Sequence, residues 1–245
     1  MTGAAPQHTI LSAHPYNTND VIVSNAARVA AWGSGNAIET AGGVTVKDAA
    51  VITANSGRGM VVGGDVTVSD SAVVSSVSGI AIRAGQPTST VTINGGTVSS
   101  NTHSAIITSG EHGTVVVSGG LVYSEGAANT IENNHGAGSS DNVTISGTGR
   151  VEARGSGDAI NTFGNVSVSN SAFVSATTTT ALSARSTTST VSVDGGVVFS
   201  PGSSVFGVDP VIGMTGTPTI NNPAVVVNGT KQQVTLPTYR PPRMT

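Results

Sequence analysis

Short alternations of apolar and polar residues recur along most of this chain at a nearly constant interval. The clearest are seven Val-Thr-Val-like triplets, separated by 22–28 residues. They begin at Val44, Val66, Val91, Val115, Val143, Val166 and Val191. Self-similarity with a period of this size indicates a solenoid, in which each copy of the repeat forms one coil.

Each copy carries two further β-like segments beside the triplet. The first is centred on an Ala-Ile pair, as in Ala81-Ile82 and Ala105-Ile106. The residues that follow these pairs are expected to form an outward row of Glu39, Val61, Arg83, Ile107, Glu132, Asn161 and Ser183. The third carries one apolar residue, usually five positions after the triplet. These residues are Val51, Val73, Val98, Val122, Phe173 and Val198, with Val151 six positions after its triplet. The pattern predicts three short strands per coil.

The alternation within the triplet predicts which side chains face the interior. Successive residues of a strand point to opposite sides, so Val44 and Val46 should point inward and Thr45 outward. Gly, Asn and Asp separate the second and third segments and permit sharp corners. β-branched residues dominate, and no period of 3.6 residues is present, which excludes a helical solenoid. The prediction is an all-β protein: a right-handed parallel β-helix (β-solenoid) of about eight to nine coils of 22–28 residues.

The flanks depart from the repeat and predict a division of the chain. Residues 1–20 are expected to be an N-terminal cap or lead-in, and residues 21–204 the parallel β-helix. Residues 205–235 are expected to form a C-terminal coil or cap, because a bare terminal coil exposes unpaired backbone groups. Seven of the ten prolines lie between Pro201 and Pro242, so residues 236–245 are interpreted as a Pro-rich linker.

The composition limits the classes of binding partner that can be expected. Only 9% of the 245 residues are charged and the formal net charge is −3, so the sequence does not predict the basic surface that binds nucleic acid. There is no cysteine, so disulfides and thiolate metal sites are excluded. The sequence contains no run of about 18 apolar residues, so no membrane-spanning helix is predicted. The first 20 residues lack the pattern of a signal peptide, and we expect an exported protein whose signal has been removed.

Residues 64–74 (GDVTVSDSAVV) and 90–98 (TVTINGGTV) resemble the repeats of bacterial cell-surface right-handed β-helix proteins. These proteins include adhesin-type and carbohydrate-binding modules, and the resemblance covers residues 21–200. It implies a secreted, cell-surface protein that acts as a non-catalytic structural or adhesive module. Glycans or a host surface would then be the partners of one lateral face.

The third segment predicts the least polar outward face. Its outward rows are expected to hold Leu121, Tyr123, Val174, Val197, Phe199, Ile52 and Val74, with Arg150 and Glu152 between them. A contiguous exposed apolar strip usually marks an interface. The predicted ligand-binding residues are Leu121, Tyr123, Glu152, Val174 and Phe199, with Tyr123 as a platform for sugar rings. The alternative is packing against another subunit, a neighbouring domain or the chain's own C-terminal segment.

The longest coil, residues 127–155, is where an enzymatic site would be expected. A polysaccharide lyase or hydrolase would there use a groove lined by Glu132, Asp141, Glu152 and Arg154, beside a loop that carries His135. No catalytic motif is present, so no catalytic residue is predicted. Asp141 and Asn142 fall well short of the six to eight oxygen ligands of Ca²⁺, and no metal or cofactor is predicted.

Two further alternatives follow from the coil stack. The triplets place Thr45, Thr67, Thr92, Val116 and Thr144 in one outward row, similar to the threonine arrays of ice-binding solenoids but interrupted by Val116. Head-to-tail stacking of end coils would instead produce a self-assembling fibre, because such contacts do not close.

Overall fold

The computed structural model describes residues 8–12, 20–133, 141–186, 188–200, 206–207, 219–221 and 225–228. Every strand pair in this part of the chain is parallel. Each internal strand pairs with its equivalents one repeat earlier and one repeat later, and the strands at the two ends of the stack pair with one equivalent each. The predicted all-β parallel solenoid is therefore confirmed. Seven coils lie between Ile38 and Ser200, and strands of one further coil precede and follow them.

The first segments of successive coils form a nine-stranded sheet. Its strands are β1 (Ile10–Ser12), β4 (Ile38–Thr40), β7 (Met60–Val62), β10 (Ile82–Ala84), β12 (Ile106–Thr108), β14 (Ile131–Asn133), β17 (Ile160–Thr162), β19 (Leu182–Ala184) and β21 (Phe206–Gly207).

The second and third segments together form a 14-stranded sheet. Second-segment strands are β2 (Val21–Val23), β5 (Val44–Val46), β8 (Val66–Val68), β15 (Asn142–Ile145) and β22 (Thr219–Asn221). Third-segment strands are β3 (Arg28–Ala31), β6 (Val51–Ala54), β9 (Val73–Ser76), β16 (Arg150–Ala153) and β23 (Val225–Asn228). Four long strands supply both segments: β11 (Thr90–Ser100), β13 (Thr114–Ser124), β18 (Asn165–Ala176) and β20 (Val191–Ser200).

The core consists of ladders of equivalent apolar residues. In the first sheet Ile82 pairs with Ile106 and Ile106 with Ile131, and all three are fully buried. Val44 and Val46 are buried and Thr45 is partly exposed, as predicted. Full burial of such a side chain stabilises the fold by about 1.5–3 kcal/mol. Because no coil buries its apolar side alone, this stabilisation comes from the neighbouring coils.

The predicted inward residues of the third segment are wrong in three coils. Ile52, Val74 and Val174 are fully buried, whereas Val51, Val73 and Phe173 lie on the outside. The difference arises at the corner that follows the triplet, which has two forms of different length.

In coils with a Gly-Gly corner, such as those of Gly96 and Gly120, positive φ angles of 71° make a tight turn. The buried residue then follows five positions after the triplet. In the three coils where Ile52, Val74 and Val174 are buried, the corner contains no Gly-Gly pair. A residue with positive φ (Asp48, Asp70 or Asn170) forms the turn instead, and one buried alanine is added. These alanines are Ala50, Ala72 and Ala172, and they move the inward position one residue later.

The flanking segments take part in the stack where they are described. β1, within the predicted lead-in, pairs with β4. β21, β22 and β23, within the predicted C-terminal coil or cap, pair with β19 and β20. The predicted linker at 236–245 lies outside the described residues.

Candidate functional site

We call the outward surface of the third-segment strands the third face. Two outward rows run across its coils. One row holds Arg28, Val51, Val73, Thr97, Leu121, Arg150, Phe173 and Val197. The other holds Ala30, Thr53, Ser75, Ser99, Tyr123, Glu152, Ser175 and Phe199. Equivalent residues of adjacent coils are about 4.8 Å apart, so side chains of neighbouring coils contact each other.

Tyr123 carries a guanidinium group on its ring. The Cζ of Arg154 lies 3.8 Å from the centroid of the Tyr123 ring. Nε of Arg154 donates to Glu152 at 3.0 Å, and its Nη1 donates to Glu125 at 3.1 Å. Stacking of arginine on an aromatic face is favourable, and here two carboxylates fix the guanidinium in place.

Arg150, in the same coil as Arg154, stacks in a similar way on a ring of the following coil. Its Nε and Nη2 both donate to Oε1 of Glu152, at 3.1 and 2.6 Å, while its Cζ lies 4.8 Å from the Phe173 ring centroid. Glu152 thus joins two stacked arginines across three coils. We call Tyr123, Glu152, Arg154, Arg150 and Phe173 the arginine–aromatic cluster.

The electrostatics of the cluster centre on Glu152. Partial burial alone would raise the pKa of Glu152, but hydrogen bonds and positive charge from Arg150 and Arg154 outweigh it and lower that pKa below its ordinary value of 4.5. The carboxylate form is therefore favoured in the folded state. For Arg154, burial opposes the charged form, and the bonds to Glu152 and Glu125 outweigh this and raise its pKa.

A lowered carboxyl pKa predicts acid sensitivity of the third face. The stability that Glu152 contributes is present above its unfolded pKa, near 4.5, and is lost as the pH falls through the lower folded value. Glu152→Gln should therefore flatten the pH dependence of stability below this pH. Urea unfolding of both proteins across this range measures the difference. Glu111→Gln, a change at an exposed turn, is the control and should leave the slope unchanged; equal slopes for wild type and Glu152→Gln would contradict the assigned network.

The structure places four of the five predicted ligand-binding residues on the third face and one in the core. Leu121, Tyr123, Glu152 and Phe199 lie on the third face, half-buried among their neighbours. Val174 does not, because it is fully buried in the core, and Phe173 occupies the outward position. Tyr123 is no open platform either, since Arg154 covers one side of its ring.

Sequence reasoning missed the pairing of Arg150 with Phe173. The available signal was the difference between residues 169–172 (SNSA), which contain no glycine, and the Gly-Gly corners at 95–96 and 119–120. Recognising the longer corner would have placed Phe173, rather than Val174, beside Arg150.

The four residues expected to line the groove of a lyase or hydrolase do not form one site in the structure. Glu132 lies on β14 of the nine-stranded sheet, where Ser104 Oγ donates to it at 3.3 Å. Asp141 is fully buried and accepts the Gly113 backbone N–H at 2.9 Å, which is a structural role. Glu152 and Arg154 belong to the third face. His135 lies outside the described residues, as do positions 134–140 of the predicted 133–142 loop.

The other predicted outward rows are placed as expected. Thr45, Thr67, Thr92, Val116 and Thr144 are equivalent residues of adjacent coils, so Val116 interrupts the threonine row. The first-sheet row runs through Glu39, Val61, Arg83, Ile107, Glu132, Asn161 and Ser183. Within the described residues, no three His, Asp or Glu side chains are grouped so as to hold a metal ion.

The described part of the chain contains no helix long and apolar enough to span a membrane. Comparison of the chain with protein-family models, with curated proteins and with solved structures found no match.

Proposed function

We propose that this chain is a non-catalytic structural and adhesive module of an exported bacterial surface protein, and that its third face contacts glycans or a host surface. The observation that carries the proposal is the arginine–aromatic cluster, which offers charged donors and aromatic surface on a continuous parallel sheet. The support for the cellular setting is the resemblance of the repeats to bacterial surface β-helices.

The cluster is organised before any ligand arrives. Glu152 and Glu125 hold the two guanidinium groups, so little side-chain entropy is lost on binding. Nη1 of Arg150 and Nη2 of Arg154 have no hydrogen-bond partner among the described residues and can donate to sugar hydroxyls or carboxylates. The nearby apolar side chains of Leu121, Val197 and Phe199 extend the contact surface.

Rigidity is the second requirement of an adhesive module, and the core supplies it. The inward rows are continuous from coil to coil, and every buried side-chain polar atom in the described residues has a hydrogen-bond partner. A stack held in this way keeps residues of successive coils at fixed spacing. A ligand with repeated units would meet the same spacing along the face.

Arg154→Met is expected to weaken glycan binding about tenfold, because one charged donor of the cluster is removed. The measurement is binding to a glycan array and to soluble plant and bacterial polysaccharides, with and without Ca²⁺, with cleavage products assayed in parallel. Arg83→Met is the matched control, since Arg83 lies on the first sheet, and it should bind like the wild type.

Three results would contradict this proposal. Equal weakening by both arginine substitutions would remove the third face from it. Release of cleavage products would favour the lyase or hydrolase alternative. Absence of binding across the whole panel would refute glycan adhesion and turn the search to protein partners and to fibre assembly.

A further inference from the structure

A line of glycines runs down the corner between the third segment and the first segment of the next coil. A Cβ on Gly57 would overlap the carbonyl oxygen of Gly35, and a Cβ on Gly79 would overlap that of Gly57. Close stacking of the coils therefore requires glycine at these positions. The absence of side chains leaves a depression along the surface.

Polar side chains flank this depression. A serine precedes each glycine in the chain, and Asn36, Arg58 or Ile80 follows it. The resulting groove, which we call the corner groove, is lined by Ser34, Asn36, Ser56, Gly57, Arg58, Ser78, Gly79, Ile80 and His103. It spans about 14 Å, the length of three coil spacings.

His103 closes one end of the corner groove. The Gly79 N–H donates to Ser76 Oγ, and the His103 N–H donates to Ser100 Oγ in the same way. Ser76 and Ser100 are equivalent residues, so His103 occupies the glycine position of the next coil. Its imidazole stands where the preceding coils have no side chain.

Trp32 lies near the other end and is 84% exposed. It comes two residues before Ser34, and its carbonyl oxygen accepts a hydrogen bond from Asn55 Nδ2 at 3.3 Å. The Ser56 N–H also donates to the Gly33 carbonyl at 3.3 Å. The turn that carries the indole is thus attached to the adjacent coil beside the corner groove, while the indole itself is open to solvent.

Arg58 supplies the charge. Within the described residues its guanidinium makes no ion pair and no side-chain hydrogen bond, in contrast to Arg150 and Arg154. The nearby carboxylate of Glu39 already accepts a hydrogen bond from Asn36 Nδ2 at 2.6 Å. A half-buried, unpaired guanidinium in a groove is suited to bind a carboxylate through parallel hydrogen bonds.

We propose that the corner groove binds an acidic saccharide, with the sugar ring on Trp32 and its carboxylate at Arg58. An exposed indole suits the apolar face of a sugar ring. The serine hydroxyls and Asn36 provide the few polar groups that orient a ligand in such a site. This site is separate from the arginine–aromatic cluster, and the inference does not rest on the function proposed for the third face.

The test uses the fact that Trp32 is the single tryptophan of the chain, so tryptophan emission reports on this site alone. The probes are an oligosaccharide ending in glucuronic acid and the same oligosaccharide with that carboxylate reduced to an alcohol. We expect the acidic probe to change the emission of the full chain saturably. The reduced probe should bind about tenfold more weakly, because a charged hydrogen bond is lost.

Two variants assign the contacts, and calorimetry measures their binding. Trp32→Ala should lose at least about tenfold in affinity for both probes. Because the indole is exposed, the substitution should leave the fold intact, which circular dichroism checks. Arg58→Met should lose the preference for the acidic probe, while Arg83→Met, on the first sheet, should keep it. Absence of a saturable emission change, equal affinity for the two probes, or wild-type binding by Trp32→Ala would each overturn the proposal. Loss of binding in Arg154→Met alone would place the saccharide on the third face and overturn it as well.

Discussion

Replacing Ile106 by alanine should lower the free energy of unfolding by about 2–5 kcal/mol. Ile106 is fully buried in β12, between Ile82 and Ile131 of the adjacent coils. Truncation removes apolar contacts with both neighbours and leaves a cavity that the ladder cannot close without moving the coils. Denaturant unfolding monitored by circular dichroism measures the change.

The adjacent residue offers a matched control for this substitution. Ile107 is the same residue type in the same strand, but it points outward between Arg83 and Glu132. Ile107→Ala should cost less than about 1 kcal/mol, because no core cavity forms. Equal losses for the two variants would contradict the orientation of β12, since a shift of one residue exchanges the inner and outer faces.

The triplet strands show what the sequence alone can predict. Alternation in a short strand fixes its inward residues without knowledge of any other coil, and Val44, Thr45 and Val46 are oriented as expected. The first-sheet row from Glu39 to Ser183 was also predicted, because the Ala-Ile pair marks the same position in each coil. Both predictions depend on local pattern only.

The third segment shows where this reasoning fails. Its orientation depends on the length of the preceding corner, and Asp48 and Gly96 make corners that differ by one residue. A count from the triplet therefore exchanged Phe173 with Val174. The arginine–aromatic cluster could not be predicted, because its contacts join different coils and require the correct register in each of them.

Trp32 illustrates a different limit. It lies in the turn after β3, outside the three repeated segments, so the repeat pattern does not predict its orientation. The corner groove likewise arises from the stacking of turns that share only a glycine. Its residues are brought together by the solenoid spacing and not by any motif along the chain.

Gly164→Ala should be among the most damaging single substitutions in the chain, with a loss of about 3 kcal/mol in unfolding free energy. A Cβ at Gly164 would overlap the carbonyl oxygen of Asp141 in the coil below. That same oxygen accepts the backbone N–H of Asn165 at 2.9 Å. The added methyl group must therefore push the two coils apart and weaken a hydrogen bond of the β-ladder, because backbone atoms cannot rotate away as a side chain would.

Gly85→Ala provides the comparison, since a Cβ at Gly85 meets no atom within 4 Å and its φ is not in the left-handed region. That substitution should be neutral or slightly stabilising, because alanine restricts the unfolded chain more than glycine does. Thermal and urea unfolding of both variants test the pair. If Gly164→Ala is as stable as Gly85→Ala, the coils are not in backbone contact at Asp141. Such a result would show that the two coils are further apart at Gly164 than the glycine contacts along the corner groove indicate for Gly57 and Gly79.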